Sequence, residues 1–88
     1  MKYSIVFEKN AEKQLSELGI TQQRIIINWI SENLGNAENP RVHGTALKGK
    51  KEYWRYKIGD YRVIADIKGM GIYLITIERG NRKSIYND

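Results

Sequence analysis

The dipeptide Gly59-Asp60 splits the run YWRYKIGDYRVI into two alternating halves, and it restricts this chain's folding more than any other feature. Glycine at the first central position suits a type II′ turn, whose twist matches that of a two-stranded ribbon. Such a turn pairs Ile58 with Tyr61 and so fixes every pair behind it. Lys57 then opposes Arg62, Tyr56 opposes Val63, Arg55 opposes Ile64 and Trp54 opposes Ala65. Because side chains alternate along a strand, Trp54, Tyr56, Ile58, Tyr61, Val63 and Ala65 share one face, which is expected to be core. Tyr53, Arg55, Lys57, Arg62, Ile64 and Asp66 share the other. Like charges directly opposite one another cost about 0.2–1 kcal/mol where opposite charges would gain it. A cationic pair in this position reads as a preformed phosphate site, with a solvated face of splayed side chains as the alternative.

The rest of the chain supplies a scaffold for that hairpin. Residues 3–7, YSIVF, read as a short strand. Asn10 is a candidate N-cap for a helix carrying Ala11, Leu15 and Leu18, with Gly19 as its C-cap. Thr21 is a candidate cap for a second helix, whose stripe of Ile25, Ile26, Trp29, Ile30 and Leu34 is expected to be core. Residues 36–52, NAENPRVHGTALKGKKE, hold Pro40, Gly44 and Gly49 as breakers and predict an ordered loop with a short strand at best. A third β run at 72–77 is apolar on both faces, so it is expected to be central, with a register that alternation alone does not fix. The order strand, two helices, strands predicts an α+β fold over residues 1–88 as a single domain. It consists of an N-terminal strand, a two-helix hairpin and a three- to four-stranded antiparallel sheet, with the helices on one face.

Charge is distributed unevenly. Residues 1–40 carry four Lys/Arg against five Asp/Glu, whereas residues 41–88 carry eleven against five. Basic surface concentrated in this way favours polyanions through counterion release. The absence of cysteine excludes disulfides and thiolate metal sites and suits a reducing cytoplasm, where the chain is expected to act. No apolar run reaches the roughly 18 residues of a membrane span. No acidic cluster suits Mg²⁺, so neither a metal nor another cofactor is expected.

Cleavage of RNA by its own 2′-hydroxyl needs a proton acceptor, a proton donor for the leaving 5′-oxygen, and positive charge on the phosphorane. Guanidinium groups supply the charge, since they bind phosphate oxygens bidentately and stay protonated. The lone histidine, His43, lies in the polar loop, which excludes a two-histidine mechanism. Lys57 and Tyr86 remain as proton carriers, and Tyr86 could instead stack on a base. Glu52, Asp66 and Glu78 are alternative bases, with Asp66 and Glu78 read first as counter-charges.

The segments NPR at 39–41, LKG at 47–49, YWRYKIGDYRVI at 53–64 and ITIERGNRKSIY at 75–86 together resemble the RelE branch of the RelE/ParE toxin superfamily. The likeness runs the length of the chain. It implies a toxin of a type II toxin-antitoxin system, a ribosome-dependent endoribonuclease that cuts messenger RNA in the A site. A cognate RelB-like antitoxin would hold it inactive, and operator DNA would be reached only through that antitoxin. By the same resemblance Arg55, Arg62 and Arg82 bind phosphate and stabilise the transition state, while Lys57 and Tyr86 handle protons or orient the nucleotide. Lys48, Lys50, Lys51, Arg79 and Lys83 are the expected contacts to flanking RNA. Asn81 stands where many relatives carry histidine, so a mechanism through that histidine is not available here. The alternatives are a ParE-like inhibitor of DNA gyrase and a non-catalytic RNA-binding relative.

Overall fold

Five strands form one sheet in the computed structural model, which describes residues 3–49 and 53–80. Strand β1 (Ser4–Phe7) leads into helices α1 (Lys9–Ser16) and α2 (Ile20–Ile30), and α2 is continued by a π-helical turn, Ser31–Gly35. A 3₁₀ turn, Pro40–His43, precedes the two-residue strand β2 (Thr45–Ala46), then β3 (Tyr53–Ile58), β4 (Tyr61–Lys68) and β5 (Gly71–Arg79). The spatial order is β1-β5-β4-β3-β2. The meander β2 to β5 is antiparallel, as its turns require, while β1 pairs parallel to β5 from Ser4 opposite Gly71 to Phe7 opposite Leu74. The antiparallel part thus has four strands, the upper end of the expected three to four, and the N-terminal strand joins it in parallel to make the sheet mixed. A parallel edge strand leaves no hairpin signature in sequence, because its partner lies more than sixty residues away. Among the described residues no helix is long and apolar enough to cross a membrane.

The helices cover one face of this sheet. Ile26, Ile30 and Leu34, at successive helical turns, pack with Ala11 of α1 on Tyr56, Ile58, Val63, Ala65, Ile67, Ile72, Leu74 and Ile77. Ile25 departs from the expected core stripe and is 48% exposed. The helix boundaries also differ from the sequence reading by one or two residues. Glu8 is the N-cap of α1, and Gly19 is the N-cap of α2 with an ordinary φ of −63°, not a left-handed C-cap. The Gln23 side chain closes the gap between the helices by donating from Nε2 to the Leu18 carbonyl at 2.8 Å.

Tyr56 is the pivot between sheet, α2 and the preceding loop. Its hydroxyl donates to the Pro40 carbonyl at 3.0 Å, and its ring meets Trp29 at a centroid distance of 5.9 Å. A Cβ on Gly44 would fall 2.7 Å from Tyr56 Cε1 and 3.1 Å from the Arg55 carbonyl. Glycine is therefore required there by close approach, although the Gly44 backbone is extended. Burial pushes the Tyr56 phenol up to about 12, against a smaller lowering from Arg41.

Candidate functional site

The sheet face away from the helices carries the cations. Gly59 has φ +58° and, among the described residues, no non-glycine residue has positive φ, the combination that a type II′ turn demands and a type I′ turn does not. The register behind it runs as the alternation predicts: Lys57 faces Arg62, Arg55 faces Ile64 and Tyr53 faces Asp66. Lys57 is exposed, and Arg55 and Arg62 are half-buried.

The β4–β5 pairing extends that face in a way that alternation does not anticipate. Ile64 opposes Thr76 but Ala65 opposes Leu74, so Ile75 is an extra residue on β5 without a partner on β4, a β-bulge. Side chains on β5 past this point switch faces relative to a regular strand. Ile77 turns into the core at 5% exposure, and Glu78 turns outward, directly opposite Arg62. Lys57, Arg62 and Glu78 therefore form one row across β3, β4 and β5, about 10 Å from end to end at the usual strand spacing. Two further rows follow along the same face: Thr45, Arg55, Ile64 and Thr76, then Tyr53, Asp66 and Tyr73.

The other acid on this face serves a different partner. Asp66 is 7% exposed, and its Oδ2 lies 3.5 Å from Lys68 Nζ, which in turn sits 5.7 Å over the Tyr73 ring. Sequence reasoning identified Asp66 as a counter-charge and missed Lys68 as the cation it answers. Glu78, the second candidate counter-charge, is the one that stands beside Arg62.

The remaining cations fall in three places. Lys48 is exposed in the turn that follows β2. Arg79 opposes Tyr61, so it lies on the helix-covered side, apart from the row. Lys50, Lys51, Arg82, Lys83 and Tyr86 lie outside the described residues, as does Glu52. The point from which the C-terminal segment departs is described, however. The Gly80 amide donates to the Asp60 carbonyl at 2.6 Å, and a Cβ on Gly80 would lie 3.5 Å from Arg62 Nε. The chain thus leaves β5 against the Arg62 guanidinium. His43 is on the other layer, its ring edge-on to Trp29 at 6.1 Å. Among the described residues no group of His, Asp or Glu gathers into a metal-holding cluster.

Comparison with known proteins places this geometry in context. Residues 5–83 match the family described as the ParE toxin of type II toxin-antitoxin systems, parDE. No curated protein sequence matches significantly. Among solved structures, the isolated E. coli RelE toxin is similar at TM-score 0.76 and 22% identity, covering 97% of this chain and 92% of that one. RelBE2, the toxin-antitoxin complex from Mycobacterium tuberculosis, gives 0.74 and 15% over 90% and 99%. A chain of the chromosomal ParDE system of P. aeruginosa gives 0.69 and 11% over 91% and 98%. At these identities the structural likeness establishes a shared fold.

Proposed function

The chain belongs to the ParE toxin family of type II toxin-antitoxin systems, and from that premise we propose that it acts as a RelE-type endoribonuclease, cutting messenger RNA in the ribosomal A site by metal-independent attack of the 2′-hydroxyl. The observation that carries this reading is the row of Lys57 and Arg62 on the open face of the sheet, with Arg55 one row away. Two cations held side by side by ladder register suit the oxygens of a single phosphodiester. Phosphate binding offsets the repulsion that the fold imposes on them. Arg82 and Tyr86 complete the proposed set, since Gly80 starts their segment beside Arg62. Arg55, Arg62 and Arg82 stabilise the phosphorane, Lys57 and Tyr86 serve proton transfer or nucleotide orientation, and Lys48, Lys50, Lys51 and Lys83 hold flanking RNA, whereas Arg79, expected from the sequence among these contacts, faces the other side of the sheet. The site acts in the cytoplasm, where ribosomes are.

A cognate antitoxin of the RelB kind is the proposed inhibitor and the only route to operator DNA. Complexes of similar folds are known from E. coli as RelBE and from Pyrococcus horikoshii as RelE–RelB. The second reading, inhibition of DNA gyrase, is favoured by the family description and by the likeness to the P. aeruginosa ParDE system. Primer extension on a translating message separates the two. The wild-type protein is expected to give stops within A-site codons, and Arg62→Ala to reduce them by about 10²-fold or more, the usual loss on removing a preorganised charge stabiliser. Intact message together with inhibited supercoiling would overturn the nuclease reading in favour of the gyrase one.

A further inference from the structure

We propose that Glu78 is the general base that takes the proton from the attacking 2′-hydroxyl, a role that rests on the nuclease reading above. Three carboxylates were candidates from sequence. Asp66 is buried beside Lys68 and four residues along β4 from Arg62, about 13 Å at the rise of a strand. Glu52 lies outside the described residues. Glu78 is exposed, adjacent to Arg62 and on the same face as Lys57.

That placement is built into the fold. Without the extra residue at Ile75, the ladder would set Ile77 opposite Arg62, an apolar side chain on the charged face. The bulge sends Ile77 to the core and Glu78 to the row instead. Gln14 of α1 holds this arrangement. Beyond Leu74, β5 has no β1 partner, and there Gln14 Oε1 accepts from the Ile77 amide at 2.6 Å and from Thr76 Oγ1 at 3.0 Å. A bulge pinned from a second element fixes the face to which the side chains beyond it turn.

The chemistry follows from the row. At neutral pH a carboxylate is acceptor-only and an ammonium is donor-only. A phosphodiester lying over Arg62 has Glu78 on one side and Lys57 on the other. The 2′-oxygen bonds to phosphorus as its proton passes to Glu78, the bond from phosphorus to the 5′-oxygen breaks, and Lys57 protonates that oxygen. The products are a 2′,3′-cyclic phosphate and a 5′-hydroxyl. Glu78 and Lys57 return to their starting states by exchange with water. This assignment needs no histidine, which fits a chain with asparagine at position 81 and its single histidine packed on Trp29.

Single-turnover cleavage on programmed ribosomes between pH 6 and 8.5 tests it. Glu78→Gln is expected to slow cleavage by about 10²-fold or more at pH 7, within the range lost with a general base, while ribosome binding changes less than about twofold. With the internal base gone, hydroxide must replace it. The logarithm of the Glu78→Gln rate should therefore climb with pH more steeply than that of wild type, by about one per pH unit. Glu78→His should recover about tenfold over Glu78→Gln and lose that gain below about pH 6.5, where imidazole protonates. Cleavage by Glu78→Gln within about threefold of wild type would overturn the proposal. So would a loss with unchanged pH slope, which would make Glu78 a support for Arg62 only. A wild-type protein that cuts no message would overturn the nuclease reading itself.

Discussion

The Tyr56 hydroxyl reaches the Pro40 carbonyl from a fully buried position, and the physical chemistry of that one side chain has a measurable consequence at high pH. Burial raises the phenol from its ordinary value of 10.0 to about 12. Between those values the unfolded chain releases the proton and the folded chain keeps it, so ionisation draws the equilibrium toward unfolding. The stabilisation is complete below about pH 10 and is lost as pH rises through about 12. Denaturant titrations from pH 9 to 12 should show wild-type stability falling more steeply than that of Tyr56→Phe. The variant should start lower, by about 1 kcal/mol, for its lost hydrogen bond. Parallel curves would show that the phenol ionises freely in the native state. Sequence placed Tyr56 on the core face but held no sign of Pro40 or Gly44 as its neighbours, because those contacts join segments whose approach only the packed loop defines.

At the scale of the hairpin and its neighbour β5, the bulge changes what removal of each cation should do. From the hairpin alone, Lys57 and Arg62 are equivalent members of a repelling pair, and deleting either should leave stability unchanged or slightly raised. The β5 register breaks that symmetry by setting Glu78 against Arg62. Lys57→Ala should therefore hold or raise the melting temperature, while Arg62→Ala should lower it relative to Lys57→Ala. The difference should amount to about 0.2–1 kcal/mol, the scale of a cross-strand charge pair. Equal melting temperatures for the two variants would show that Glu78 does not stabilise the folded state through Arg62. The turn and register of β3 and β4 were legible because Gly59-Asp60 is a local signal. The bulge was not, because 72–77 is apolar on both faces and either alternation fits it.

At the scale of the whole molecule, the described residues present two surfaces that differ in chemistry. The sheet face is cationic. On the opposite side, α2 exposes Ile20, Ile25 and Ile27 at 64%, 48% and 43%, and Ile27 lines a shallow cleft with Ile5, Phe7, Ile30 and Ser31. Apolar exposure along α2 beside such a cleft suits a surface for a partner, and in the proposed function that partner is the antitoxin. Ile27→Asp is expected to weaken binding of the proposed cognate antitoxin by about tenfold or more, read by calorimetry, while message cleavage stays at the wild-type level. Unchanged affinity would place the antitoxin elsewhere on the toxin.

Turn chemistry and side-chain alternation act over a few residues, so the α+β class, the two-helix order, the hairpin register and the face on which Arg55, Lys57 and Arg62 lie could be read along the chain alone. That β1 joins β5 in parallel, that Asp66 answers Lys68, and that Glu78 stands opposite Arg62 emerged from the packed fold. The first depends on two strands meeting from distant parts of the chain, and the last on the register of β4 against β5. In the case of Glu78 it depends also on Gln14, a residue of the first helix, satisfying the backbone of the last strand.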